Sequence, residues 1–154
     1  MPEPMETASV SPRPALPTRV LCVDDSPDIT TMMRMVIDGE PTMQCVGCLA
    51  SADHLIEKVR RLSPPPDTLP LVVLLDATMP GKSPMAAMSA LAAEFPAIRT
   101  IIYSGHHDPG FIDRAKAAGA WGCVSKGDEP DVILRAVREV AGGNAWWPPL
   151  PKSA

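Results

Sequence analysis

Four charged side chains and one hydroxyl stand where short apolar segments of this chain end. They are Asp24, Asp25, Asp76, Ser104 and Lys126. Carboxylates brought close together repel one another, so such a site needs a compensating cation. Oxygen ligands favour Mg²⁺, which proteins commonly hold through one or two carboxylates, with phosphate oxygens completing the shell. A lysine and a hydroxyl beside the ion suit the equatorial oxygens of a phosphoryl group, so these residues predict phosphoryl chemistry.

Asp76 is the predicted nucleophile of this site. It follows a continuously apolar run and opens the loop ATMPGKSP, where a carboxylate is reachable for in-line attack on a phosphoryl group. Asp24 and Asp25 then hold the metal. Paired carboxylates also serve glycoside hydrolysis, but no aromatic cleft for a glycan accompanies them here.

The segments that precede these residues are predicted to be strands. Residues 19–23, 71–75, 99–103 and 121–125 are apolar runs such as VVLL and TIIY, and residues 43–49 form a further candidate. Continuous apolar runs are typical of parallel strands that helices cover on both faces. Segments with helical periodicity separate them, which predicts an α/β sheet with right-handed crossovers. Ligands bind such sheets beyond the carboxyl ends of the strands.

Composition predicts one domain with short flanking segments. The chain has 154 residues, of which 45% are hydrophobic, enough for one core with helices on both faces of a sheet. Residues 1–18 are rich in Pro, Ser and Glu and are expected to be a disordered leader. The domain is predicted over 19–143, and residues 144–154, NAWWPPLPKSA, form a tail.

Charge and hydropathy exclude some classes of partner. The formal net charge of -4 and a pI near 5.3 give no basic surface for direct nucleic-acid binding. No apolar stretch has membrane-spanning length, and the N-terminus lacks the apolar centre of a signal peptide. A cytoplasmic location is therefore expected.

The four cysteines are expected to be reduced thiols that pack as small hydrophobes. Cys45 and Cys48 form a C-x-x-C motif inside the strand candidate TMQCVGCLA. Residues three apart on a regular strand point to opposite faces, so the two thiols are expected not to meet as a disulfide or to share a metal.

The predicted site residues and their order resemble the receiver domain of two-component response regulators. The segments VLCVDDSP, VVLLDATMPG, IIYSGH and GAWGCVSKG match, in order, the acidic pair, the phosphoacceptor loop, the hydroxyl-bearing strand end and the lysine loop of that family. The resemblance covers about residues 19–143. It implies a flavodoxin-like fold, a five-stranded parallel sheet of order 2-1-3-4-5.

The resemblance also implies a role for each matching residue. Asp76 would accept a phosphoryl group from a histidine kinase or phosphotransfer protein, and Lys126 would pair with that group. Asp24 and Asp25 would bind Mg²⁺ together with Asp76 and the backbone carbonyl of Thr78. Ser104 would follow the phosphoryl group and report its arrival.

The expected output is a change in affinity for a downstream protein, and the family habit of dimerisation implies a homodimer. The domain would catalyse its own phosphorylation and dephosphorylation without being a free-standing enzyme.

One departure from the family pattern concerns the switch. Members usually carry an aromatic residue three positions before the lysine, and here that position is Cys123. A scaffold that keeps the fold without phosphorylation is therefore an alternative. The ending AVREVAGGNAWW is similar to that of receivers that precede a helix-turn-helix domain. A second alternative is therefore that the chain is the receiver half of a DNA-binding regulator, although a natural single-domain protein is the preferred interpretation. A phosphatase with an aspartyl nucleophile is disfavoured because no insertion is long enough for a cap over the substrate.

Overall fold

The fold alternates strands with helices along the whole described chain. A computed structural model describes residues 17–62, 71–79, 81, 83–105 and 109–148. The strands are β1 (Thr18–Val23), β2 (Met43–Leu49), β3 (Leu71–Asp76), β4 (Arg99–Ser104) and β5 (Gly122–Ser125). The helices are α1 (Pro27–Asp38), α2 (Leu55–Leu62), α3 (Pro84–Glu94), α4 (Pro109–Ala117) and α5 (Pro130–Ala141).

The five strands form one parallel sheet of order β2-β1-β3-β4-β5. This confirms the predicted flavodoxin-like order. All six residues of the central strand β3 are buried, which explains why its sequence is apolar without alternation.

Two core clusters lie on the two faces of the sheet. One face, with Val72 and Leu74 of β3, packs against α1 and α5. The other face, with Val73 and Leu75, packs against α2, α3 and α4. Because helices cover both faces, polar groups of the sheet become accessible only at its edges and strand ends, which is where the predicted site residues lie.

Several predicted boundaries shift by a few residues. Asp76 and Ser104 are the last residues of β3 and β4 rather than the first residues beyond them. Ser51 is the residue at which the sequence predicts a helix to open, and helix α2 begins four residues later, at Leu55. The sequence Ser26-Pro27 predicts a helix start, and α1 begins at Pro27, because the Ser26 hydroxyl accepts a hydrogen bond from the Ile29 N–H.

The prediction that Cys45 and Cys48 face opposite sides of the sheet was wrong. The pairing of β1 with β2 shifts register at Val46, which forms a β-bulge. A bulge adds one residue to the strand and reverses the alternation of the side chains beyond it. Both thiols therefore lie on the face that carries Cys22. All four cysteines lie within the described residues and form no disulfide.

The predicted leader falls almost entirely outside the described residues, which begin at residue 17, and the last six residues of the predicted tail lie outside them too. The predicted limits of leader, domain and tail stay predictions. Within the described ranges no helix is both long and apolar enough to cross a membrane.

Arg99 connects the start of β4 to the end of α5. Its Nη1 donates to the carbonyls of Val140 (2.8 Å) and Ala141 (2.9 Å), and its guanidinium lies 4.6 Å from the centre of the Trp121 ring. Arg99→Leu should lower the free energy of unfolding by about 1–2 kcal/mol, because the charged hydrogen bonds to the helix end are lost.

Urea denaturation measures this loss. Arg135→Leu is the matched control. Among the described residues, Arg135 has one exposed ion pair, 3.9 Å from Asp131, so its substitution should change stability by less than about 0.5 kcal/mol. Equal effects of the two substitutions would contradict the role of Arg99.

Candidate functional site

The parallel register brings four of the predicted residues to one edge of the sheet. Val23 pairs with Leu75 across β1 and β3, so Asp24 lies beside Asp76 at the strand ends. On the other side, Ser104 pairs with Ser125 across β4 and β5. Lys126 follows directly, and its N–H donates to the Ser104 carbonyl at 3.0 Å.

Asp24, Asp25 and Asp76 form a compact acidic cluster. Each offers a carboxylate oxygen, and these oxygens all lie within 4.8 Å of one another. Asp24 is 4% exposed and Asp76 is 0% exposed, whereas Asp25 is open to solvent. The cluster therefore joins two buried charges to one that an incoming ion or phosphoryl group meets first.

Local hydrogen bonds orient the two buried carboxylates. The Ser26 N–H donates to Asp24 Oδ1 at 2.8 Å, and the Thr78 N–H donates to Asp76 Oδ1 at 2.9 Å. The Thr78 hydroxyl also lies 3.3 Å from Asp76 Oδ1. An aspartate carboxylate that accepts a hydrogen bond from the backbone N–H two residues later forms an Asx-turn. The sequence analysis assigns a role only to the carbonyl of Thr78 and not to this N–H.

Lys126 supplies the cation that the cluster requires. Its Nζ lies 3.1 Å from Asp76 Oδ1 and 3.5 Å from Asp24 Oδ2, and 5.8 Å from the centre of the Tyr103 ring. Burial lowers the pKa of Lys126, but its hydrogen bond with Asp76 and the charge of Asp24 outweigh burial, so the pKa lies above its ordinary value. The ammonium stays charged at neutral pH.

The electrostatics of Asp24 show that one lysine does not fully compensate the cluster. Burial raises the pKa of Asp24 and the charge of Asp76 adds to the rise, while the Ser26 hydrogen bond and Lys126 lower it; the net pKa lies above the ordinary value. A buried ionised carboxylate with too little compensating charge is costly.

The donor set fits a hard divalent cation. Within the described residues, the buried Oδ2 of Asp76 has no hydrogen-bond partner, and the buried Oδ2 of Asp24 has only a long contact of 3.5 Å with Lys126 Nζ. A buried oxygen without a donor is rare, and a bound ion is one of the ordinary explanations. Carboxylate oxygens without nitrogen or sulfur ligands select ions such as Mg²⁺. The residues therefore form a site that can hold a divalent cation.

The residues predicted for the switch lie on neighbouring strands and on the same face of the sheet, because Cys123 pairs with Ile102, two residues before Ser104. Ser104 is fully buried at the end of β4. Cys123 is fully buried in the core cluster that contains Leu75, on the face opposite Tyr103. Burial raises the pKa of the Cys123 thiol to about 11, so it stays protonated and packs as a small apolar side chain.

Comparison with known proteins gives one family. The family model for the response regulator receiver domain matches residues 20–138. The transcriptional activator protein ExaE of Pseudomonas putida is 30% identical over 131 residues, covering 82% of this chain and 56% of that protein. The response regulator GacA of Pseudomonas protegens is also 30% identical, covering 85% of this chain and 59% of that protein. The chain thus spans a little over half the length of these relatives.

Solved structures share the fold. A LuxR-family two-component response regulator from Aurantimonas sp. SI85-9A1 superposes with a TM-score of 0.74 at 26% identity, covering 83% of this chain and 87% of that chain. The isolated REC domain of RcsB from Salmonella enterica, solved with the phosphomimetic BeF3-, gives a TM-score of 0.74 at 19% identity, covering 86% and 94%. The second likeness concerns the fold alone.

Proposed function

Because this chain belongs to the response regulator receiver domain family of two-component systems, we propose that Asp76 is its phosphoacceptor. One observation carries the assignment. Asp76 is a fully buried carboxylate at a central strand end, with Lys126 and Thr78 on Oδ1 and no hydrogen-bond donor on Oδ2 among the described residues. The contacts to Oδ1 therefore orient the carboxylate, and Oδ2 is left to bind a metal ion or to attack a phosphoryl group.

The phosphoryl donor we propose is the phosphohistidine of a histidine kinase or phosphotransfer protein. A carboxylate oxygen of Asp76 forms a bond to phosphorus while the nitrogen–phosphorus bond of the donor breaks, and the imidazole leaves with the electron pair and takes up a proton. Lys126 faces the charge of the transferred group. The receiver contributes this chemistry for its own phosphorylation and dephosphorylation only, so its role is signalling.

We assign the metal to Mg²⁺. Asp24, Asp25 and Asp76 would hold it with the backbone carbonyl of Thr78, and the ion would neutralise charge on the phosphoryl oxygens. The buried Oδ2 of Asp76, which has no hydrogen-bond partner among the described residues, supports this assignment.

Ser104 and Cys123 are the proposed switch residues. Ser104 is the last residue of β4, which lies between β3 and β5 in the sheet, and its hydroxyl would contact the phosphoryl group. Cys123, in place of an aromatic side chain, lies three residues before Lys126 on β5 and would sense a movement of that strand.

The output we propose is altered binding of a downstream protein, in the cytoplasm, with homodimerisation as a further consequence. A second candidate is the receiver half of a DNA-binding transcription regulator, because ExaE is a transcriptional activator about twice the length matched here. In either case this chain itself does not contact nucleic acid. The alternative without phosphorylation is a scaffold.

Site mapping tests the function. The protein is incubated with acetyl phosphate and Mg²⁺, the acyl phosphate is reduced with borohydride, and peptides are analysed by mass spectrometry. We expect one modified residue, Asp76, and none when EDTA replaces Mg²⁺. Modification of another residue would make that residue the phosphoacceptor. No phosphoryl incorporation at saturating Mg²⁺ would favour the scaffold that keeps the fold without phosphorylation.

A further inference from the structure

The chain beyond α5 returns to the sheet and covers its open edge. Gly143 has a φ of +101°, and the Asn144 N–H donates to the Glu139 carbonyl at 2.9 Å, so the chain reverses at the helix end. It then runs beside β5. We call residues 144–148 the strap.

The strap pairs with β5 through two backbone hydrogen bonds. The Trp146 N–H donates to the Trp121 carbonyl at 3.0 Å, and the Cys123 N–H donates to the Trp146 carbonyl at 2.9 Å. These bonds form a parallel bridge between Gly122 and Trp146. The edge strand is thereby closed to pairing with another chain at this position.

This close approach depends on glycine at position 122. A Cβ added to Gly122 would lie 2.6 Å from the Trp146 carbonyl oxygen, a distance at which the strap backbone must move. Substitution of Gly122 by alanine, which adds one carbon atom, should therefore displace the strap.

The two indoles of the strap lie on opposite faces of the sheet. Trp146 packs against the core cluster that contains α1 and α5 residues. Trp147 packs against the other cluster, which contains Cys123, and Lys116 Nζ of α4 lies 4.9 Å from the centre of its ring. Trp147 thus joins α4 to the face of β5 on which Cys123 lies.

Strand β5 connects the strap to the acidic cluster. It has four residues. Trp121, directly before it, and Cys123 bond to the strap, and Lys126, directly beyond its other end, contacts Asp76 at 3.1 Å. The strap itself starts from a fixed point, because Arg99 holds the carbonyls at the end of α5. A displacement of Lys126 towards a phosphoryl group would move β5 relative to the strap and weaken both hydrogen bonds.

We propose that residues 144–148 are a phosphorylation-sensitive strap, docked on β5 while Asp76 is unmodified and released when Asp76 carries a phosphoryl group. The inference rests on the proposed function of Asp76. Release would expose the β5 edge and the α4 surface, and would free the chain that follows α5.

Fluorine NMR of protein labelled with 5-fluorotryptophan tests the strap. The chain has three tryptophans, and single Trp→Phe variants assign their resonances. Gly122→Ala gives the reference position of a released strap. Gly142→Ala is the matched control, because its added Cβ would meet its nearest neighbour at 3.4 Å, an ordinary contact.

Mg²⁺ and BeF3- are then added to the unsubstituted protein. We expect the Trp147 resonance to move to the position seen in Gly122→Ala, and Asp76→Asn to abolish the movement. By reciprocity, Gly122→Ala should bind BeF3- at least about fivefold more tightly. Should that variant fold poorly, Trp147→Ala should show the same increase.

The outcomes separate the two proposals. A bound BeF3- resonance with an unmoved Trp147 resonance, or unchanged BeF3- affinity in the displaced-strap variants, would overturn the strap and leave Asp76 as phosphoacceptor. No bound BeF3- at saturating Mg²⁺ would overturn both.

Discussion

The Asp76→Asn protein should take up no phosphoryl group from acetyl phosphate, a loss of more than about 100-fold in rate, because an amide replaces the nucleophilic carboxylate. The fold should persist. The carbonyl oxygen of the new amide can still accept the Thr78 N–H bond that Asp76 Oδ1 accepts at 2.9 Å, and the substitution removes one of three clustered negative charges. Intact-mass spectrometry over a time course measures the rate.

Asp28→Asn is the control for this experiment. Asp28 is exposed in the first turn of α1, close to the acidic pair in sequence but outside the acidic cluster. It should be phosphorylated at the unsubstituted rate. Phosphoryl uptake by Asp76→Asn at a comparable rate would show that another residue is the acceptor.

Asp24→Asn should separate metal binding from stability. We expect the affinity for Mg²⁺ to fall at least about tenfold, since one charged oxygen ligand is lost. Without metal, the melting temperature should rise, because burial and the charge of Asp76 already raise the pKa of Asp24 and make its ionised form costly in the folded state.

Thermal unfolding with and without Mg²⁺ gives both quantities. The unsubstituted protein should be stabilised by the ion, increasingly with the logarithm of the Mg²⁺ concentration above the dissociation constant, and Asp24→Asn should lose most of that increase. Asp131→Asn, exposed at the start of α5, should retain it. A full Mg²⁺ response in Asp24→Asn would remove this residue from the metal site.

The parallel sheet, and the convergence of Asp76, Ser104 and Lys126 at one of its edges, could be predicted from the sequence. Strands that are buried on both faces must be continuously apolar, so the segments VVLL and TIIY could be predicted to be strands. Parallel strands end at a common edge, which places Asp76 and Ser104 near Lys126 from the order of the elements alone. The start of helix α1 could be predicted from Ser26 and Pro27, because the capping hydrogen bond joins residues only three apart in the sequence.

Features that depend on contacts between residues distant in sequence could not be predicted and are seen only in the folded structure. The bulge at Val46 is a property of the pairing between β1 and β2, and it overturned the prediction for Cys45 and Cys48. The contact of Lys126 with two carboxylates requires the ends of β1, β3 and β5 to meet at measured distances.

The strap is the clearest such case. Tryptophans after a helix can cover their own domain or a partner, and composition does not distinguish these. Their place was decided by the reversal at Gly143, the open edge of β5, and the absence of a side chain at Gly122, which lets two backbones approach. Backbone pairing depends on steric access between segments far apart in the chain, and no local sequence pattern encodes that access.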